Sequence, residues 1–213
     1  MLIMDAVMET HGVASPTPWP TAAPGADRLL VLSDRMSLLD VGTAMAVLTD
    51  PGDDGEPGGP APGAATGLRR VQDLLDCDLV IAPGGLLLRD TTTGVALAPG
   101  CCFGLENWRD WLDLAHGEEI WLGHDGAPRL EHRGTLIRMW PGTGPHAQLP
   151  VEFHRAELLG LLRTVHEKLN GFLVLAGQWA SPYAPALATA LMTRLGEDLH
   201  ITAPLETSLV ADA

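Results

Sequence analysis

The residues with chemistry to offer gather in the middle third of this chain. Pro99-Gly100-Cys101-Cys102-Phe103-Gly104 sets two adjacent thiols just ahead of a segment whose apolar spacing predicts a helix. A thiol at a helix start meets unpaired backbone N–H groups and the positive end of the helix dipole, both of which favour thiolate. A histidine on a later strand can then take its proton. Cys102 is accordingly the candidate nucleophile, with His124 or His132 as candidate base. The competing expectation is a small buried thiol pair closing a helix start, because cysteine outside a disulfide is among the most buried residue types.

The same stretch is dense in imidazole and carboxylate. His116, Glu118, Glu119, His124, Asp125, Glu131 and His132 fall inside seventeen residues. These are ligand types for zinc and non-haem iron, yet His-x7-His across a turn matches no ligand spacing, and H-E-x-x-H and C-x-x-C are both absent. The expectation is therefore no metal and no cofactor. Pro83-Gly84-Gly85 and Pro141-Gly142-Thr143-Gly144 do not continue as the phosphate-cradling G-x-x-x-x-G-K-[ST], and no G-x-S-x-G elbow occurs.

Six Trp against three Phe and one Tyr point instead to binding, since Trp is a frequent interface anchor. Trp108 and Trp111 share the expected helix, while Trp121 and Trp140 end expected strands. From Phe103 to Glu131 there are seven acidic and two basic residues. Trp108, Trp111, Glu118, Glu119 and Asp125 are thus the candidate partner-binding residues, an acidic surface rimmed by Trp that suits a basic protein. The core is the alternative place for each Trp, because their helical and strand spacing fits it equally.

Two classes of function follow. In one, the chain is a non-catalytic acidic binding protein, similar at the level of class to small acidic bacterial immunity proteins that cover the active sites of basic toxins. In the other, the order of cysteine then histidine is similar to that of papain-like and transglutaminase-like enzymes, in that order alone. That likeness implies a small cysteine-dependent hydrolase or acyltransferase, with Asn170 and Gln148 as residues of a type to complete the set. The binding protein is the expected function and the cysteine enzyme the alternative.

The elements that must position these residues can be traced along the chain. Residues 1–27 start with Met1, Met4 and Met8 and run into Pro/Ala/Gly-rich sequence, which predicts a mobile leader. Residues 28–205 then read as one α+β domain, followed by a tail over 206–213. Arg28–Ser33 and Met36–Val41 read as short β runs around Asp34-Arg35, with Thr43–Thr49 continuing them. Nine of the sixteen residues in 51–66 are Pro or Gly, which predicts a flexible insertion loop. Leu68–Leu75 suits a short helix and Asp78–Ala82 a strand. Leu86–Asp90 and Val95–Ala98 flank a Thr91-Thr92-Thr93-Gly94 hairpin connection. Leu105, Trp108, Trp111, Leu112 and Ala115 recur at helical spacing over Phe103–His116, and Gly117 stands where an αL cap belongs.

Further strands are expected at Ile120–Leu122, Pro128–His132, Thr135–Trp140 and Leu149–Phe153, with a turn at Arg133-Gly134. Leu158, Leu162, Val165, Leu169 and Phe172 then form one apolar helical face, ended or kinked at Asn170-Gly171. A second helix is expected over Ala184–Leu195, stopped by Gly196, and a last strand at His200–Thr202. The class is α+β: a mostly antiparallel sheet built from short meanders, helices packed on one face, and long helices in the C-terminal third.

Composition sets the outer limits. The 213 residues carry 27 acidic and 13 basic side chains, a net charge of −14, which argues against nucleic acid as a partner. Hydrophobic residues make up 46%, ample for a packed core, but no run approaches the roughly 18 apolar residues of a membrane span. The lack of an Arg or Lys before Arg28 removes the n-region of a secretory signal, and three cysteines do not make a disulfide framework. The expectation is a cytoplasmic protein. Twelve Arg against the single Lys168 fits a GC-rich bacterial, actinobacterial source. There is no internal repeat and no coiled-coil pattern to select an oligomeric state.

Overall fold

A computed structural model of the chain describes residues 1–11, 17–23, 25–50, 63–124, 126–142 and 148–205. The fold is α+β, with antiparallel sheets of short strands and a long C-terminal helix. In chain order the elements are β1 (Leu2–Glu9), β2 (Leu29–Val31), α1 (Leu38–Leu48), α2 (Ala64–Asp76), β3 (Gly84–Asp90) and β4 (Ala96–Leu97). They continue with a 3₁₀ helix (Leu105–Asp110), α3 (Trp111–His116), β5 (Arg129–Arg133), β6 (Leu136–Trp140), β7 (Val151–His154), α4 (Arg155–Tyr183) and α5 (Ala188–Asp198). One sheet has the strand order β2-β1-β3-β4 and the other β5-β6-β7.

Two compact units are built from interleaved segments of the chain, where the sequence predicts a single domain over 28–205. The first comprises Met1–Val7 and Pro83–Glu167, together with Pro204 and Leu205; the second comprises Met8–Ala82 and Lys168–Ala203. β1 and α4 are the elements on which the chain passes from one unit into the other.

In the first unit, β1 corrects the expectation of a leader. Met4–Met8 are all buried, and such an unbroken run of burial marks a strand covered on both faces. Asp5 inside it is held by Arg89, whose Nη2 donates to Oδ2 at 2.6 Å. The β3–β4 hairpin turns where predicted, with Gly94 at φ +76° and Leu88 paired with Leu97. The β5-β6-β7 meander also agrees, turning at Gly134 with φ +64° and setting His132 opposite Ile137 and Ile137 opposite Phe153. The expected Phe103–His116 helix divides into the 3₁₀ turn and α3, which ends on Gly117 in the left-handed region at φ +94°. Ile120–Leu122 is irregular rather than a strand.

In the second unit, the β runs expected at Met36–Val41 and Thr43–Thr49 are instead α1. Its start is fixed by a reciprocal cap: the Asp40 N–H donates to Ser37 Oγ at 3.2 Å, and the Ser37 N–H to Asp40 Oδ2 at 2.9 Å. α2 begins at Ala64, so the last residues of the predicted 51–66 loop are helical; residues 51–62 lie outside the described set. Asp78–Ala82 is not a strand, and the Val80 N–H finds the Asp198 carboxylate at 2.8 Å rather than a neighbouring strand. His200–Thr202 is likewise irregular.

α4 buries the predicted face completely, with Leu158, Leu162, Val165, Leu169 and Phe172 all at 0% exposure. It runs straight through Asn170-Gly171. α5 starts later than predicted, at Ala188, and carries Gly196 inside it.

Candidate functional site

The site lies in the first unit, where two loops meet. The chain leaves β4, runs through Pro99–Gly104 and enters the 3₁₀ helix; it later leaves α3 at Gly117 and crosses 118–128 to reach β5. Two glycines allow these backbones to touch. A Cβ on Gly100 would collide with the Leu122 carbonyl, and a Cβ on Gly123, at φ +107°, would sit 2.6 Å from the Cys101 oxygen. The His124 N–H donates to the Cys101 carbonyl at 3.1 Å, and Pro83 and Gly104 form an isolated antiparallel bridge behind the loop. Cys102 holds φ +64°, a left-handed conformation that is unfavourable for a non-glycine residue and persists where the surroundings impose it.

This backbone arrangement gathers Cys101, Cys102 and His124. The two sulfurs and a ring nitrogen lie within 4.8 Å of one another, on three exposed side chains. Trp121, 51% exposed, sets its ring edge-on to His124 at 5.1 Å and lies 6.0 Å from the Phe103 ring. Below the loop, Phe103, Trp111 and Leu122 are buried around an apolar cavity of about 10 Å³ bounded also by Leu86, Ala98 and Pro99. That volume admits about one water molecule, so the cavity supports the loop and holds no small molecule.

The candidate residues separate sharply in this setting. Cys102 and His124 are brought together, with Cys101 beside them. His132 is not part of the cluster: it sits within β5, and both its ring nitrogens are buried without a partner among the described residues. It is therefore unsuited to serve as base for exposed thiols. Helix-dipole activation is also corrected, because the helical run starts at Leu105 behind Gly104 as its N-cap and opens as a 3₁₀ turn, so Cys101 and Cys102 stand ahead of the first turn, where the dipole's effect is concentrated. Gln148 is exposed, and Asn170 belongs to the second unit within α4.

Trp108 and Trp111 are corrected as partner-binding residues. They are 0% and 2% exposed, and their helical spacing turns both rings into the core, where Trp108 stacks on His166 at 5.9 Å. Glu118 and Glu119 are exposed, on the same loop as Trp121 and His124. Asp125 lies outside the described residues. Cys101 and Trp121 complete the site beyond the residues picked from sequence. Cys101 was visible as the neighbour of Cys102 and Trp121 as the end of an expected strand, but His124 follows Cys102 by 22 positions and no local motif links such distant residues.

No protein-family model, no curated protein and no solved structure matches this chain.

Proposed function

We propose that the surface formed by the 99–104 and 118–128 loops is a docking face for a basic protein, and that the chain acts as a non-catalytic acidic binding protein. The observation that carries this reading is Trp121, half exposed on a loop that also exposes Glu118 and Glu119. An aromatic side chain held at the surface supplies an anchor. Neighbouring carboxylates, on a chain of net charge −14, steer a cationic partner and exclude anionic ones.

The test is affinity capture from a GC-rich bacterial lysate at low salt, followed by reconstitution with the captured protein in purified form. Trp121→Ala should weaken that complex by about 30-fold, as loss of a hot-spot residue worth about 2 kcal/mol would. A Glu118→Gln, Glu119→Gln double variant should slow association and flatten its salt dependence. Equal affinity of all three variants and the parent chain would overturn the assignment of this face.

The proximity of His124 to Cys101 and Cys102 supports a second reading, a cysteine-dependent hydrolase or acyltransferase with Cys102 as nucleophile and His124 as base. The Cys102 thiolate would attack an acyl carbon as His124 takes the thiol proton, and the bond from that carbon to its leaving group would break as the imidazolium returns the proton to the leaving group. Water or another acceptor would then take the acyl group from the thioester and restore the thiol.

A further inference from the structure

We infer that Cys101, Cys102 and His124 form a binding site for one thiophilic divalent cation, of which Zn²⁺ is the representative. The site lies on the same two loops as the proposed docking face, but its ligands are Cys101, Cys102 and His124, none of which the docking argument invokes. Three ligand atoms of the right type converge here: two sulfurs and an imidazole nitrogen, all within 4.8 Å of one another. In a tetrahedral site, Zn–S bonds of about 2.3 Å and Zn–N bonds of about 2.0–2.1 Å place ligand atoms about 3.5–3.8 Å apart. Closing the remaining gap of about an ångström takes a change in the side-chain torsions of three exposed residues.

The backbone already supplies the convergence. Gly100 and Gly123 let the two loops come into contact, and the Cys101 carbonyl is bonded to the His124 N–H at 3.1 Å. Adjacent cysteines in extended conformation point their side chains to opposite sides; the left-handed φ of +64° at Cys102 breaks that alternation and lets both sulfurs share one cluster. The Trp121 ring, edge-on to His124 at 5.1 Å, restricts the imidazole orientation from one side.

The donor set selects the ion. Two thiolates and an imidazole favour zinc and similar soft or borderline cations over magnesium or calcium, which require oxygen ligands. Binding is balanced by release of two thiol protons to solvent, while the neutral imidazole contributes its lone pair. With three protein ligands, the fourth position faces water. Such a site is open, in contrast to the closed four-ligand sites that only hold a fold together.

The untagged full-length chain, reduced and stripped of metal, should be titrated with Zn²⁺ against a chromogenic chelator and, separately, with Co²⁺. The expected result is about one Zn²⁺ per chain, together with a near-ultraviolet thiolate-to-cobalt charge-transfer band. Cys101→Ser, Cys102→Ser and His124→Ala should each weaken Zn²⁺ binding by about tenfold or more, while His116→Ala should leave it unchanged. Circular dichroism of the metal-free variants shows that each is folded before its affinity is compared. Absence of the charge-transfer band in the parent chain, or unchanged affinity in His124→Ala, would overturn the site. Trp121→Ala with the captured partner reads the docking face, whereas the Cys101, Cys102 and His124 variants with Zn²⁺ and Co²⁺ alone read the metal site, so failure of one proposal is told apart from failure of the other.

Discussion

At the scale of single residues, local hydrogen bonds set what a side chain does more than its type. Asp90 shows this at the β3–β4 turn. The Thr92 N–H donates to its carboxylate at 2.9 Å and the Thr93 hydroxyl at 2.8 Å, and these bonds to the ionised form lower its pKa from 3.8 to about 2. Because the folded pKa is depressed, the stability that Asp90 contributes is fully present above pH 3.8 and is lost as pH falls through about 2. A carboxyl-carbon NMR titration should find that low midpoint in the parent chain and a higher one in Thr93→Ala, with the acid limb of stability moved upward in step. An unchanged midpoint in the variant would assign the shift to the Thr92 N–H and the Met1 ammonium, which lies 3.3 Å from Asp90 Oδ1. The cysteine–histidine cluster follows the same logic: Cys101, Cys102 and His124 were visible as types, but their convergence depends on two glycines and one backbone hydrogen bond that no local spacing encodes.

At the scale of elements, periodicity was legible wherever one face meets a core. α4 and the β5-β6-β7 meander follow their apolar pattern residue by residue, and Gly117 and Gly134 end or turn their elements with positive φ as expected. The sequence reading misses α1 because Leu38–Leu48, apart from Asp40 and Thr43, is apolar all round, which blurs the helical period; the Ser37–Asp40 cap is the signal available. Gly171 was misread as a helix end because glycine has low helix propensity, whereas its place in α4 is set by packing. A Cβ there would lie 2.8 Å from the Asp34 Cα and 3.0 Å from its nitrogen. Gly160, in the same helix, has nothing within 4 Å of its added Cβ. Gly160→Ala should therefore stabilise the protein by about 0.5–1 kcal/mol, and Gly171→Ala should destabilise it despite the identical gain in helix propensity. Urea unfolding of both variants compares the two effects directly, and stabilisation by both would show that the Asp34 contact yields without cost.

At the scale of the whole molecule, charge is the dominant feature. Ion pairs such as Arg89–Asp5, Arg138–Glu152 and Arg194–Asp198 each occupy an arginine, and acidic residues outnumber basic ones by 27 to 13. The remaining carboxylates repel one another across the fold. Raising ionic strength from about 0.01 M to about 0.15 M shortens the screening length from about 30 Å to about 8 Å, so self-repulsion should weaken and the thermal midpoint should rise by about 2 °C or more at pH 7. A midpoint that falls with salt would mean that the ion pairs outweigh the net charge. Among the described residues no helix is long and apolar enough to cross a membrane.

Sequence alone determined the α+β class, the acidic balance, the amphipathic face of α4 and the turns at Gly94, Gly117 and Gly134, because each depends on neighbours within a few positions of one another. Tertiary structure decided the rest. It made Leu2–Glu9 a strand with Met4–Met8 buried, turned Trp108 and Trp111 inward, left Trp121 at the surface, and brought His124 to Cys101 and Cys102. Those outcomes depend on which segments pack together over long separations. Apolar spacing shows that a side chain is to be buried; only the partner that covers it decides which one is, and which thiols and imidazoles come to lie side by side.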